Sequence, residues 1–174
     1  MPKIIKDCKE KILSSAKIEL YQNKKDGFSM RRVAIGAGVA VGTIYHYYPD
    51  KINLIAEILL ESWMEKYQRT MDDMKSCKDI KEVVEKISRL ISEFRKENSD
   101  IFSDYRDEGF SDYYVKLHDS FALQIVNLFR KGMEQLGRSL PEEENRMVAE
   151  MILIQERTKT ISFTTLVSMI SKLI

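Results

Sequence analysis

A chain of 174 residues is long enough to bury a real core, either as one domain or as a small domain joined to a larger one. At 44% hydrophobic and 32% charged residues it does not have the composition of a disordered chain, and no stretch is long and apolar enough to span a bilayer. The net charge of +1 conceals a division: residues 1–51 hold ten Lys/Arg against five Asp/Glu, while the remainder holds 18 against 22.

A basic head on an acidic body suits a phosphate-binding module attached to one that does not bind nucleic acid. A secretory leader is not expected, because Lys3, Lys6, Asp7, Lys9 and Glu10 interrupt any apolar core near the start. A cytoplasmic location is therefore expected. Cys8 and Cys77 match no metal-ligand spacing and read as ordinary reduced thiols, with a pairing between them left open. Only 7 Gly and 3 Pro punctuate the chain, so long helices are expected.

Ile5, Cys8, Ile12, Leu13, Ala16, Leu20 and Tyr21 recur at three and four residues, which predicts an amphipathic first helix over about Lys3–Gln22. Asn23–Gly27 ends it, with Gly27 free to take positive φ. Ser29 stands where an N-cap belongs, before Met30, Val33 and Ala34. A short third helix fits Val41–Tyr47. A fourth is expected to start at Pro49-Asp50 and run to about Met74, with Leu54, Ile55, Ile58, Leu59 and Trp63 on its apolar face. Lys75–Asp79 reads as a break. Ile80, Val83, Val84, Ile87, Leu90, Ile91 and Phe94 then form a helical stripe, and Asn98-Ser99-Asp100 marks a second break. After an acidic-aromatic stretch, a long helix is predicted over about Asp112–Leu136, closed by Gly137. Ser139–Glu142 has the spacing of a capping box for a following helix containing Met147, Met151, Ile152 and Ile154. Thr158–Ile174 is apolar and β-branched, but a lone strand would have no partner, so a helix is expected.

The run Val33–Gly42 admits two readings. Its glycines could cradle a pyrophosphate after a strand. That fingerprint needs a crossover unit and further parallel strands, and no other such pattern exists here. A helix-turn-helix accounts for more residues. Small Ala34 lets two helices cross, Gly38 supplies the turn, and Val39 and Ile44 anchor the second helix. Val41, Thr43, Tyr45 and His46 are then available to the outside, where such a helix meets base edges.

The stretch from about residue 9 to 60 resembles the DNA-binding domain of the tetracycline-repressor (TetR) family. The likeness rests on Ile12-Leu13, Ala16, Gly27-Phe28-Ser29, Val33-Ala34, Ala37-Gly38-Val39, Gly42-Thr43-Ile44-Tyr45, Tyr47-Tyr48-Pro49-Asp50-Lys51 and Leu54. The resemblance implies DNA contacts by Ser29, Arg31, Val41, Thr43, Tyr45, His46, Tyr47 and Lys51. Ser29 caps its helix, Arg31 and Lys51 meet phosphates, Thr43 and Tyr45 face the groove, and His46 and Tyr47 reach phosphate or sugar. Tyr48, at a position usually Phe, is expected to pack inward. Two departures stand out. Ala40 replaces a Ser cap worth about 1 kcal/mol, and Val41 replaces a polar or basic residue, which shifts weight toward phosphates and DNA shape.

The resemblance further implies an all-α chain. An N-terminal three-helix helix-turn-helix domain (residues 1–51) would be joined by the helix at 50–74 to a C-terminal helical ligand-binding and dimerisation domain (52–174). Phe94, Phe102, Tyr105, Phe110, Tyr113, Tyr114 and Phe121 either line an effector pocket or form an ordinary aromatic core. The acidic set Asp100, Asp104, Asp107, Glu108 and Asp112 lacks the spacing of a calcium loop, and His118 stands alone; no metal, cofactor or enzymatic constellation is expected. The expected partners are a double-stranded operator, a small apolar or amphipathic effector and a second copy of the chain through the last two helices, with no membrane. The alternative is a DNA-bound structural or interaction protein on the same fold without an effector.

Overall fold

The computed structural model describes residues 7–22, 27–104 and 110–174, with side chains at all of these except 102–104 and 110–118. Among the described residues all regular structure is helical: α1 (Cys8–Gln22), α2 (Met30–Ala37), α3 (Val41–Tyr47), α4 (Lys51–Asp73), a 3₁₀ turn (Met74–Ser76), α5 (Ile80–Glu97), α6 (Ser99–Asp104), α7 (Phe110–Gln135), α8 (Glu142–Thr158) and α9 (Phe163–Leu173). The chain divides into two compact units, Met1–Ser62 and Trp63–Ile174, and α4 carries residues of both.

In the first unit α1 buries Cys8, Ile12, Leu13, Ala16 and Leu20, the stripe its spacing predicts. Ser29 caps α2 by accepting the Arg32 amide at 3.3 Å. Gly38, at φ +67°, closes α2 in a Schellman pattern: its N–H donates to Ile35 O and the Val39 N–H to Ala34 O. The helices cross closely at Gly36 as well as at buried Ala34. A Cβ on Gly36 would lie 2.4 Å from Ser15 Oγ, which itself donates to Val33 O at 2.9 Å. Two ion pairs, Lys9–Glu57 and Lys17–Glu61, each 2.7 Å, tie α1 to α4. Pro49 lies outside α4 rather than at its first turn. Asp50 takes the cap position instead, accepting the Asn53 amide at 2.8 Å, so the helix begins one residue later.

In the second unit α5 packs against α7, α8 and α9. Val83, Val84, Ile87, Leu90, Ile91 and Phe94 of α5 are buried, as are Ile125, Leu128 and Phe129 of α7, Val148 and Ile152 of α8, and Leu166 and Ile170 of α9. Gly132 permits a close approach of α7 to α5, since a Cβ there would stand 2.5 Å from Val83 Cγ1. Asp79 caps α5 through the Glu82 amide, and Ser162 caps α9 through the Thr165 amide. Three expectations need correction. The break at 98–100 shrinks to Asn98, whose side chain donates to Phe94 O at 2.8 Å, and Ser99 already belongs to α6. The Ser139–Glu142 capping box does not form. Pro141 occupies the cap position of α8, and the Asn145 side chain reaches back to Leu140 O and Pro141 O at 3.0 Å each. The C-terminal helix starts at Phe163, after Lys159 turns the chain at φ +51°.

Candidate nucleic-acid interface

The burial pattern of α3 fixes which face it shows. Ile44 is fully buried and Tyr48, one turn on, is 4% exposed. Gly42, Tyr45, His46 and Tyr47 are exposed, with Tyr45 at 50%, and Val41 and Thr43 are partly buried at the edges of that face. The His46 and Tyr47 rings meet edge to face at 5.6 Å. Ala40 sits in extended geometry before α3 and offers no side-chain cap, as its identity predicts. Thus Val41, Thr43, Tyr45, His46 and Tyr47 fall on one seven-residue helix whose inner side is held by Ile44 and Tyr48.

The two adjacent arginines of α2 differ. Arg32 is occupied: its Nε donates to Glu19 Oε1 at 2.6 Å and its guanidinium also reaches Gly27 O. The same Glu19 oxygen accepts the Ser29 amide at 3.1 Å. Arg31 is exposed and no described residue pairs with it. Ser29 is half-buried and engaged as a cap. Lys51 is the first residue of α4 and partly buried. Glu19 was not singled out by sequence; a carboxylate on the apolar side of α1, directly before Leu20, was its one visible sign. Gly42 is a second addition. It has neither a positive φ nor any atom within 4 Å of a Cβ position, so nothing inside the chain demands glycine there.

Burial keeps the Tyr48 hydroxyl protonated well above its usual range, reinforced by the Glu57 and Glu61 carboxylates. That hydroxyl has no hydrogen-bond partner. Asp50 is held below the ordinary carboxylate range, chiefly by the Asn53 amide.

Of the effector candidates, Phe94 and Phe121 come together around Trp63, which sequence reasoning had placed only on an apolar helix face. Trp63 stacks on Phe121 at 4.2 Å, Phe94 meets both rings edge-on, and the indole N–H donates to Gln124 Oε1 at 2.8 Å. Tyr105 lies outside the described residues, as do the side chains of Phe102, Phe110, Tyr113 and Tyr114 and of His118. Among the described residues no cluster of His, Cys, Asp or Glu could hold a metal ion. Cys8 and Cys77 are both free and buried, and burial raises the Cys77 thiol above its usual range. No helix among the described residues is long and apolar enough to cross a membrane.

A glycine-closed pair of short helices, the second fixed by two inward side chains and exposed on its outer face, makes a helix-turn-helix, and all regular structure among the described residues is helical. Residues 12–58 match the family model described as bacterial regulatory proteins, tetR family. No curated protein matches the sequence. Solved structures similar to it include the multidrug binding protein EbrR complexed with imidazole, 15% identical over 97% of this chain and 95% of its own, with a TM-score of 0.57. The fatty acid degradation regulator FadR from Bacillus halodurans is 16% identical over 97% and 94%, TM-score 0.53. A TetR transcription regulator from Haloarcula marismortui is 15% identical over 95% of each chain, TM-score 0.55. At such identities the likeness is one of fold.

Proposed function

We propose that this chain is a TetR-family transcription regulator, a cytoplasmic homodimeric repressor that leaves a palindromic operator when a small apolar or amphipathic effector binds its C-terminal domain. The observation that carries the DNA-reading part is the division of α3, with Ile44 and Tyr48 inside and Tyr45, His46 and Tyr47 outside. In this reading residues 1–51 are the DNA head. Thr43 and Tyr45 read the major groove beside Val41, His46 and Tyr47 hold sugar or phosphate, and Ser29, Arg31 and Lys51 fix the register on the backbone. Dimerisation through α8 and α9 is supported by Met147, Ile154, Met169 and Leu173, which are large, apolar and exposed in the single chain. The effector reading is supported by the aromatic cluster of Trp63, Phe94 and Phe121 with one polar group, Gln124, beside it. The effector acts as a population shift between two states of the dimer, transmitted along α4 to the spacing of the heads.

The same cluster also favours a second reading, a DNA-bound structural or interaction protein without an effector. Trp63 and Phe94 are closed off ring against ring, at 1% and 3% exposure. Selection of bound DNA from random sequence tests the common part: two half-sites related by a two-fold axis are expected, and recovery without any sequence preference overturns it. Titrating apolar and amphipathic compounds into the selected complex separates the two readings. Release by one of them supports the repressor, whereas a tight complex insensitive to all of them supports the second reading.

A further inference from the structure

Two arginines stand side by side in the first turn of α2, and the fold uses them differently. Successive residues of a helix point about 100° apart, so Arg32 turns to α1 while Arg31 stays exposed. What Arg32 meets there is Glu19. Oε1 of Glu19 lies 2.6 Å from both Nε and Nη2 of Arg32 and accepts the Ser29 amide at 3.1 Å. The Arg32 guanidinium also donates to Gly27 O, and the Arg32 amide donates to Ser29 Oγ at 3.3 Å. Arg31 therefore sits between two points of the chain, Ser29 and Arg32, that one carboxylate holds.

Stability alone is a poor reason for this arrangement. Glu19 is 5% exposed, and taking a carboxylate out of water costs free energy that pairing returns only in part. An apolar pair of similar volume would hold α1 against α2 as well. It would hold neither the Ser29 amide nor the Gly27 carbonyl. The ion pair secures what packing cannot, the conformation of the chain from Gly27 into the first turn of α2. That turn carries Ser29 and Arg31, two of the residues assigned to the DNA backbone.

We propose that Glu19 is a positioning residue for DNA binding: through Arg32 and the Ser29 amide it fixes the first turn of α2, so that Arg31 meets a phosphate in one set geometry while Arg32 meets none. The inference rests on the DNA-reading part of the function proposed above. It is tested by a double-mutant cycle of Glu19→Gln and Arg31→Ala, each full-length chain measured on the selected operator at a temperature where it is folded. Glu19→Gln is expected to weaken binding about fivefold and to leave the slope of log affinity against log salt unchanged, because it removes no phosphate-bound cation. In the Arg31→Ala background the same change is expected to cost less than about twofold, since the group it positions is gone. Should Glu19→Gln fail to fold, Arg32→Lys carries the same cycle with the same expected losses: it keeps a cation beside the buried carboxylate but lacks the planar fork that spans Glu19 and Gly27. Equal losses in the two backgrounds, binding as tight as wild type or tighter, or a salt slope changed by about 1 overturns the proposal. A wild type that selects no operator, or an Arg31→Ala chain that binds it like wild type, overturns the DNA-reading assignment itself and the proposal with it.

Discussion

Glu19 of α1 holds Arg32 of α2 through a 2.6 Å hydrogen bond while its own side chain is almost wholly buried. The same carboxylate oxygen receives the Ser29 amide, so one acidic group fixes both the cap of α2 and the basic side chain beside it. Glu19→Gln removes the charge from two hydrogen bonds but leaves Arg32 half in solvent, so a cost of about 1–3 kcal/mol is expected. Arg31→Ala, at an exposed and unpaired position, is expected to change stability by less than about 0.5 kcal/mol. Denaturant unfolding of the two variants checks the contrast. Equal losses would mean that Arg31 also has a structural role.

Tyr48 gives the opposite sign. Its buried hydroxyl has no partner, and burial with two nearby carboxylates raises its ionisation above the ordinary value of 10.0. Tyr48→Phe keeps the ring and deletes the unmet group, so a gain of about 1 kcal/mol is expected at neutral pH. The folded pKa is raised, so the native chain keeps a proton that the unfolded chain loses as pH climbs past 10. The wild type is therefore expected to lose stability through that alkaline window more steeply than Tyr48→Phe. Parallel pH profiles for the two proteins would refute this assignment.

Gly42 separates stability from recognition. A Cβ there meets nothing within the chain, and glycine weakens a helix by about 1 kcal/mol relative to alanine. Gly42→Ala is expected to raise the melting temperature. If the groove approaches the backbone of α3 at this point, the same variant binds operator DNA more weakly. A variant both more stable and equally tight would place the DNA elsewhere on α3. Ala40→Ser is the companion change: it adds the missing cap in a backbone already extended at φ −70° and ψ 147°. It is expected to stabilise by about 0.5–1 kcal/mol, measured by thermal unfolding.

The legible parts of this chain were those governed by neighbours in sequence. Gly38 at positive φ, Ser29 as a cap, the bounds of α3 and the inward turn of Tyr48 all follow from local spacing and residue type. What escaped reading depends on which helices meet. The close crossing was assigned to Ala34 alone, yet Gly36 is also a point where α1 crosses α2, over Ser15. Arg31 and Arg32 are equivalent in composition, and only Glu19, 13 residues before Arg32, tells them apart. Ser139 had the spacing of a cap, but Asn145 reaches the end of α8 first and the serine is left exposed.

The most direct test is the salt dependence of operator binding for wild type, Arg31→Ala and Lys51→Ala, with Arg95→Ala of α5 as a control. Each phosphate-bound cation contributes about one unit to the slope of log affinity against log salt. Arg31→Ala and Lys51→Ala are each expected to weaken binding across all sequences and lower the slope by about 1, while Arg95→Ala leaves both unchanged. Unchanged affinity and slope in both head variants would mean that this helix-turn-helix does not meet DNA by the surface assigned to it.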